Sequence, residues 1–112
     1  MKTTKNILTG LLLFAIIALS SCVDKTPLAQ ANKIFAGKWV TNDGTWIQIF
    51  NDGGGSFEKS NSSVTGGATS ITDSTISIGL MGIESTFSIN KSPYEENGNL
   101  KMELDGNVYI KQ

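Results

Sequence analysis

Apolar positions follow two different regimes along this chain. Residues 7–19 form an uncharged run rich in Leu, Ile, Phe and Ala. Beyond residue 34 the apolar positions come in short alternating runs, broken by Gly, Asn, Asp and Ser. Ile76 and Ile78 alternate with Thr75 and Ser77, and Phe87 and Ile89 with Thr86 and Ser88. Leu100, Met102 and Leu104 alternate with Lys101 and Glu103. A period of two puts one set of side chains on one face of a strand, so these runs predict half-buried β-strands. The candidate strands are 38–41, 45–50, 56–59, 68–71, 74–78, 84–89, 100–104 and 107–111. Turn signals separate them: Asn42-Asp43-Gly44, the string 51–55, residues 79–82, and Asp105-Gly106, a dipeptide suited to the positive backbone angles of a tight hairpin. Between residues 60 and 77, 12 of 18 positions are Ser, Thr or Gly, which predicts two weak strands around a loose loop at Gly66-Gly67. Residues 90–99 read as a loop.

Eight short strands in sequence predict an all-β, up-and-down antiparallel meander that closes into a barrel and so removes its free edges. A sandwich of two small sheets is the alternative. Strands of about five residues span only about 17 Å, and an eight-stranded barrel has room for its own side chains or one small ligand. Trp39, Ile47, Ile49, Phe57, Ile76, Ile78, Phe87, Ile89, Leu100, Met102 and Leu104 are the candidate filling. The expected cavity is therefore shallow or absent.

The first apolar run carries a different message. Lys2 and Lys5 precede it and Leu19-Ser20-Ser21 ends it, the three parts of a secretory signal. Its 13 residues reach about 20 Å as a helix, short of a bilayer core of roughly 30 Å. Cys22, the one cysteine of the chain, follows directly. Leu19-Ser20-Ser21-Cys22 resembles the lipobox of bacterial lipoproteins. That resemblance implies cleavage after Ser21, diacylglycerol on the Cys22 thiol, and attachment to the membrane by acyl chains such as palmitate. Each buried methylene then contributes about 0.8 kcal/mol. The expected organisation is a signal peptide over 1–21, a lipidated N-terminus and tether over 22–34, and a barrel domain over 35–112. Within the tether, residues 28–35 are compatible with a turn or two of helix. Val23 rather than aspartate follows the cysteine, which favours the outer membrane over the inner.

Cleavage would leave seven lysines against ten carboxylates, with no arginine and no histidine. Such a chain lacks the basic footprint and the bidentate donors that nucleic acid requires. A lone cysteine leaves no intrachain disulfide, so the domain stands on its core alone.

Phe35-Ala36-Gly37-Lys38-Trp39 heads the first candidate strand. Its Gly-x-Trp pattern resembles the first strand of the lipocalin-like (calycin) barrels. The resemblance implies that Trp39 closes one barrel end beneath a basic side chain from the last strand, here Lys111, with Gly37 beside them. Lys111 stands where that superfamily uses arginine, whose planar guanidinium stacks better on an indole. The string 37–42 is also similar to the avidins, but the later tryptophans that line a biotin pocket are missing.

Chemistry has little to work with. Without histidine, and with Cys22 assigned to lipid, the usual nucleophile–base pairs cannot be assembled and transition-metal sites lose their best ligands, which leaves carboxylates. Asp43, Asp52, Asp73 and Asp105 fall in turns, where bonding to nearby backbone explains them. Gly53-Gly54-Gly55 reads as a hairpin turn, since no helix or lysine follows it as a phosphate loop requires. No catalytic residue, cofactor or metal is expected. The candidate recognition loop is Ser92-Pro93-Tyr94-Glu95-Glu96-Asn97, which joins a rigid proline, an interface-favoured tyrosine and an acidic pair. The plainer alternative has Tyr94 folded over a barrel end. The expected function is a non-enzymatic lipoprotein that binds an envelope protein, as an inhibitor or accessory. The alternative is a lipocalin-like carrier of a small apolar ligand.

Overall fold

The computed structural model describes residues 25–112; the signal run, the Leu19-Ser20-Ser21-Cys22 string and the proposed lipidation position lie outside them. A 3-10 helix, Gln30–Phe35, precedes eight strands: β1 Gly37–Val40, β2 Trp46–Ile49, β3 Gly54–Lys59, β4 Ser62–Ile71, β5 Thr75–Leu80, β6 Ile83–Glu96, β7 Asn99–Leu104 and β8 Asn107–Lys111. Each strand pairs antiparallel with the next, and β8 returns to β1 through Trp39 opposite Lys111 and Val40 opposite Ile110. The result is a closed up-and-down barrel.

The strands are staggered rather than level. Residues Ile83 to Ser88 of β6 pair with β5, whereas Ile89 to Glu96 pair with β7. A closed sheet needs such displacement, because it tilts every strand against the barrel axis. One barrel end gathers the chain entry at Gly37 with the β2–β3, β4–β5 and β6–β7 turns. The opposite end carries the β1–β2, β3–β4, β5–β6 and β7–β8 turns.

Three local expectations are corrected. The Ser/Thr/Gly-rich stretch contains no loose loop: β4 runs unbroken through Gly66-Gly67. A shift of register between Gly55 and Phe57 accommodates it, and the Ser56 hydroxyl accepts a bond from Gly66 N–H at 3.1 Å. The third strand starts at Gly54, because the glycine triplet serves both the turn and the first ladder positions. Most consequentially, residues 90–96 belong to β6, and the recognition loop expected around Pro93 does not exist as a loop. Register shifts between Ile89 and Lys91 and between Lys91 and Tyr94 let the strand pass a proline that cannot donate to a ladder.

Twelve buried residues make one core: Phe35, Trp39, Ile47, Ile49, Phe57, Val64, Ile76, Ile78, Phe87, Met102, Leu104 and Tyr109. Leu28, Ile71, Leu80, Ile89 and Leu100 pack at its margins. Asp105-Gly106 takes positive φ at both positions, 51° and 79°, as the tight hairpin requires. Asp52 accepts from Gly54 N–H at 2.8 Å and Asp43 from Thr45 N–H at 3.0 Å, so both carboxylates serve their own turns.

Candidate functional site

At the chain-entry end, three residues of the Gly-x-Trp string act together. Trp39 is wholly buried, and its indole N–H donates to the Phe35 carbonyl at 2.9 Å, which ties β1 to the 3-10 helix beneath the barrel. Lys111 faces Trp39 across the β1–β8 ladder, its ammonium 6.0 Å from the ring centroid. That is the outer limit of a cation–π contact, so the Lys111 stem contributes mainly by covering apolar surface. Gly37 explains the glycine of the pattern: its φ is +130°, and a Cβ there would lie 2.6 Å from Lys111 Cε.

The opposite end has an arrangement that sequence reasoning missed. Phe57 and Phe87 meet edge to face, 6.0 Å apart at 78°. Lys59 follows Phe57 by two residues on β3, so it points the same way, into the barrel mouth. Its ammonium lies 4.7 Å from the Phe87 centroid and 5.9 Å from that of Phe57. The two ion pairs among the described residues are Lys25 with Asp52 at 3.4 Å and Lys101 with Glu96 at 2.9 Å, and neither involves Lys59. A period-two pattern that extends one polar residue past an apolar strand end was the available signal. Tyr109 lies on the inner side of β8; burial, reinforced by Asp105 and then Asp43, pushes its phenol up to about 12. Both barrel ends are thus covered by inward lysine stems lying on aromatic rings.

Residues 93–96 sit on a projecting ribbon. Among the described residues, β6 pairs with β7 alone from Lys91 to Glu96, and its other edge has no strand partner. Tyr94 stands opposite Lys101, and the Lys91 ammonium is 5.8 Å from the Tyr94 ring. Lys101 bonds the Glu96 carboxylate, and this contact holds Glu96 below the usual carboxylate range. Pro93 and Tyr94 are half-buried, and Glu95 and Glu96 are exposed. The ribbon brings Pro93, Tyr94, Glu95 and Glu96 together with Lys91 and Lys101 on the β6–β7 ladder, whereas Trp39 and Lys111 meet on the β1–β8 ladder.

A third feature lies on the outer wall. An open groove of about 680 Å³ is bounded by Ala68, Ser70, Ser77 and Gly79 on its floor, by the β5–β6 hairpin tip, and by Thr26 of the incoming chain. That chain is docked rather than loose: Leu28 N–H donates to the Asn51 carbonyl at 3.0 Å, and Lys25 pairs with Asp52. Gly53 lies so close to the Thr26 backbone that a Cβ there has no space. The glycine triplet therefore seats the chain's own N-terminal segment. Among the described residues no group of three or more His, Cys, Asp or Glu is placed to hold a metal ion, and no helix is long and apolar enough to cross a membrane.

Comparison with protein-family models, with curated proteins and with solved structures finds no match for this chain. Its function must therefore be argued from its own geometry.

Proposed function

We propose that the chain is a membrane-anchored bacterial envelope lipoprotein, held by lipid on Cys22, whose lipocalin-like barrel binds a protein partner without catalysis. The observation that carries this reading is the filled interior. Trp39, Phe57, Phe87, Ile47, Ile49, Ile76, Ile78, Met102 and Leu104 are all within 1% of complete burial and lie in one contiguous cluster. A barrel plugged by its own side chains recognises with its outside.

The β6 segment from Lys91 to Glu96 is the surface best suited to that task. Among the described residues its outer ladder edge is unpaired, and an extended partner segment can add there as a strand. Tyr94 supplies an amphipathic contact, and the Lys91, Lys101 and Glu96 charges around it set register. Pro93 and the two glutamates also restrict indiscriminate edge pairing. The kinship with lipocalin-like barrels is supported by the Gly37–Trp39–Lys111 cluster.

Two measurements test this. A fatty-acid probe fed to cells should label the wild type and not Cys22→Ala; equal labelling of both removes the anchor from the reading. A photoreactive phenylalanine at position 94 should form a discrete adduct with one envelope protein, while the same group at position 108 should not. A purified protein that instead carries one displaceable apolar molecule per chain in native mass spectrometry would make it a carrier.

A further inference from the structure

The tip of the β5–β6 hairpin, Leu80-Met81-Gly82-Ile83, carries two apolar side chains, Met81 and Ile83, that the fold does not use, while Leu80 packs at the core margin. Met81 is 93% exposed and Ile83 53% exposed, the two most exposed large hydrophobic residues described. Met81 is also in an uncommon backbone state, at φ 52° with Gly82 at 84°. Tight hairpins of this shape favour Asn or Asp ahead of Gly, because those residues tolerate the left-handed region. The other two hairpins of this kind obey the rule with Asn97-Gly98 and Asp105-Gly106. At Met81 the chain holds a large apolar side chain in a strained position and directs it into solvent. Neither burial nor turn chemistry accounts for it.

The place of this tip is informative. It forms one wall of the outer groove whose other wall is Thr26. Thr26 is four residues on from Cys22, so even fully extended chain puts the cysteine within about 14 Å of Thr26. Because Lys25 to Leu28 is pinned to the β2–β3 turn, there is no long free tether to hold the barrel away from its anchor.

We propose that the Leu80–Ile83 tip is a membrane-contact surface that rests in the acyl–headgroup boundary of the bilayer carrying the Cys22 lipid. The proposal rests on the lipid-anchor reading above. Exposed Met and Ile side chains on a narrow hairpin suit shallow insertion, which rewards apolar area without requiring a span. No lysine lies in the paired part of this hairpin, Thr75 to Ser88, so the contact is apolar and needs no anionic lipid. Glu84, next along β6 and also in the groove, sets the depth, since its carboxylate stays in the hydrated layer. The tip therefore dips by little more than its own side chains.

The test uses the full chain, lipidated in cells, purified and reconstituted into phosphatidylcholine vesicles in which part of the lipid is brominated on its acyl chains. With the Cys22 thiol alkylated, Met81→Cys and Gly98→Cys each offer one site for an environment-sensitive fluorophore. Both positions are exposed turn tips, so each variant should retain wild-type circular dichroism. The expected result is bromine quenching several-fold stronger at position 81 than at position 98, and unchanged at high salt. Equal quenching at the two positions, in protein whose Cys22 lipid is verified by mass spectrometry, overturns the hairpin contact and leaves the anchor standing. Protein that carries no lipid on Cys22 overturns both. A position-81 probe that crosslinks to a protein but is not quenched in vesicles also overturns the proposal, because the tip is then a protein-binding surface.

Discussion

Replacing Gly67 with alanine is expected to destabilise the barrel by about 2 kcal/mol or more, and replacing its neighbour Gly66 by only about 1 kcal/mol. The two glycines are required for opposite reasons. Gly66 has φ +73° and open space around it, so a side chain there meets no obstacle. Alanine pays only the left-handed penalty of about 1–2 kcal/mol, offset by about 0.4–1 kcal/mol of lost unfolded-state freedom. Gly67 has no such backbone requirement. A Cβ there would sit 2.6 Å from the Gly79 carbonyl oxygen and 2.8 Å from Val64 Cγ1. The carbonyl belongs to β5, whose Gly79 is in register with Ala68, so it cannot retreat without loosening the β4–β5 ladder. A domain of this size has a total stability of about 4–13 kcal/mol, so the Gly67 change removes a large share. Urea denaturation followed by tryptophan fluorescence, with thermal melts beside it, measures both. Each kcal/mol should lower Tm by about 4–8 °C. Asparagine sharpens the contrast: it should recover stability at position 66, where αL geometry is the only demand, and worsen it at position 67. Rescue by asparagine at both positions, or a Gly67→Ala variant within about 0.5 kcal/mol of wild type, would refute the close-approach reasoning.

Other outcomes follow from the same geometry. Met81→Asn should raise stability by about 0.5–1 kcal/mol by relieving the turn, while reducing quenching of a fluorophore at Ile83→Cys in brominated vesicles; a variant neutral in both assays would contradict the strained-tip account. The Tyr109 phenol is protonated in folded and unfolded chains alike below pH 10. Between pH 10 and about 12 the unfolded chain ionises first, so stability should fall in that window by on the order of 2 kcal/mol. Tyr109→Phe should remove that fall, as read from denaturation midpoints across the alkaline range. Trp39→Phe should cost about 2–3 kcal/mol through lost volume and the orphaned Phe35 carbonyl. A loss below about 0.5 kcal/mol would show that the indole bond does not tie the 3-10 helix to β1.

Where side-chain periodicity and turn residues point the same way, the chain can be read directly. Strands at 100–104 and 107–111 with Asp105-Gly106 between them are one such case, since alternation sets the face and the dipeptide sets the turn. Barrel closure follows from eight such units in order. The failures share one cause: they turn on spacing between strands, which local patterns do not contain. Gly66-Gly67 looks like a break because its neighbours on β3 and β5, which need the absent side chains, are invisible along the chain. Pro93 looks like a loop because the register shift that absorbs it lies in the pairing with β7. The Trp39–Lys111 contact was accessible through a resemblance. The inward direction of Lys59 was readable from its period-two spacing to Phe57, but Phe87 as its partner was not, because nothing local shows which strand crosses the mouth. The exposure of Met81 and Ile83 was hidden for another reason: residues 79–82 read as a turn, and a turn signal does not show which of its side chains the fold leaves bare.

The length of β6 acquires a mechanical meaning from its two ends. Its 14 residues start at the apolar tip and finish at the Asn97-Gly98 turn, a contour of at most about 46 Å. On the membrane-contact proposal, a barrel standing on the first end would lift the second to a set height above the lipid and point it away from the surface. Tyr94 and the free β6 edge would then work like the head of a short mast: unable to reach proteins lying flat on the same leaflet, well placed for those that project to matching height. Trimming or extending the β6–β7 ribbon would retune which neighbours it meets without altering the barrel that supports it.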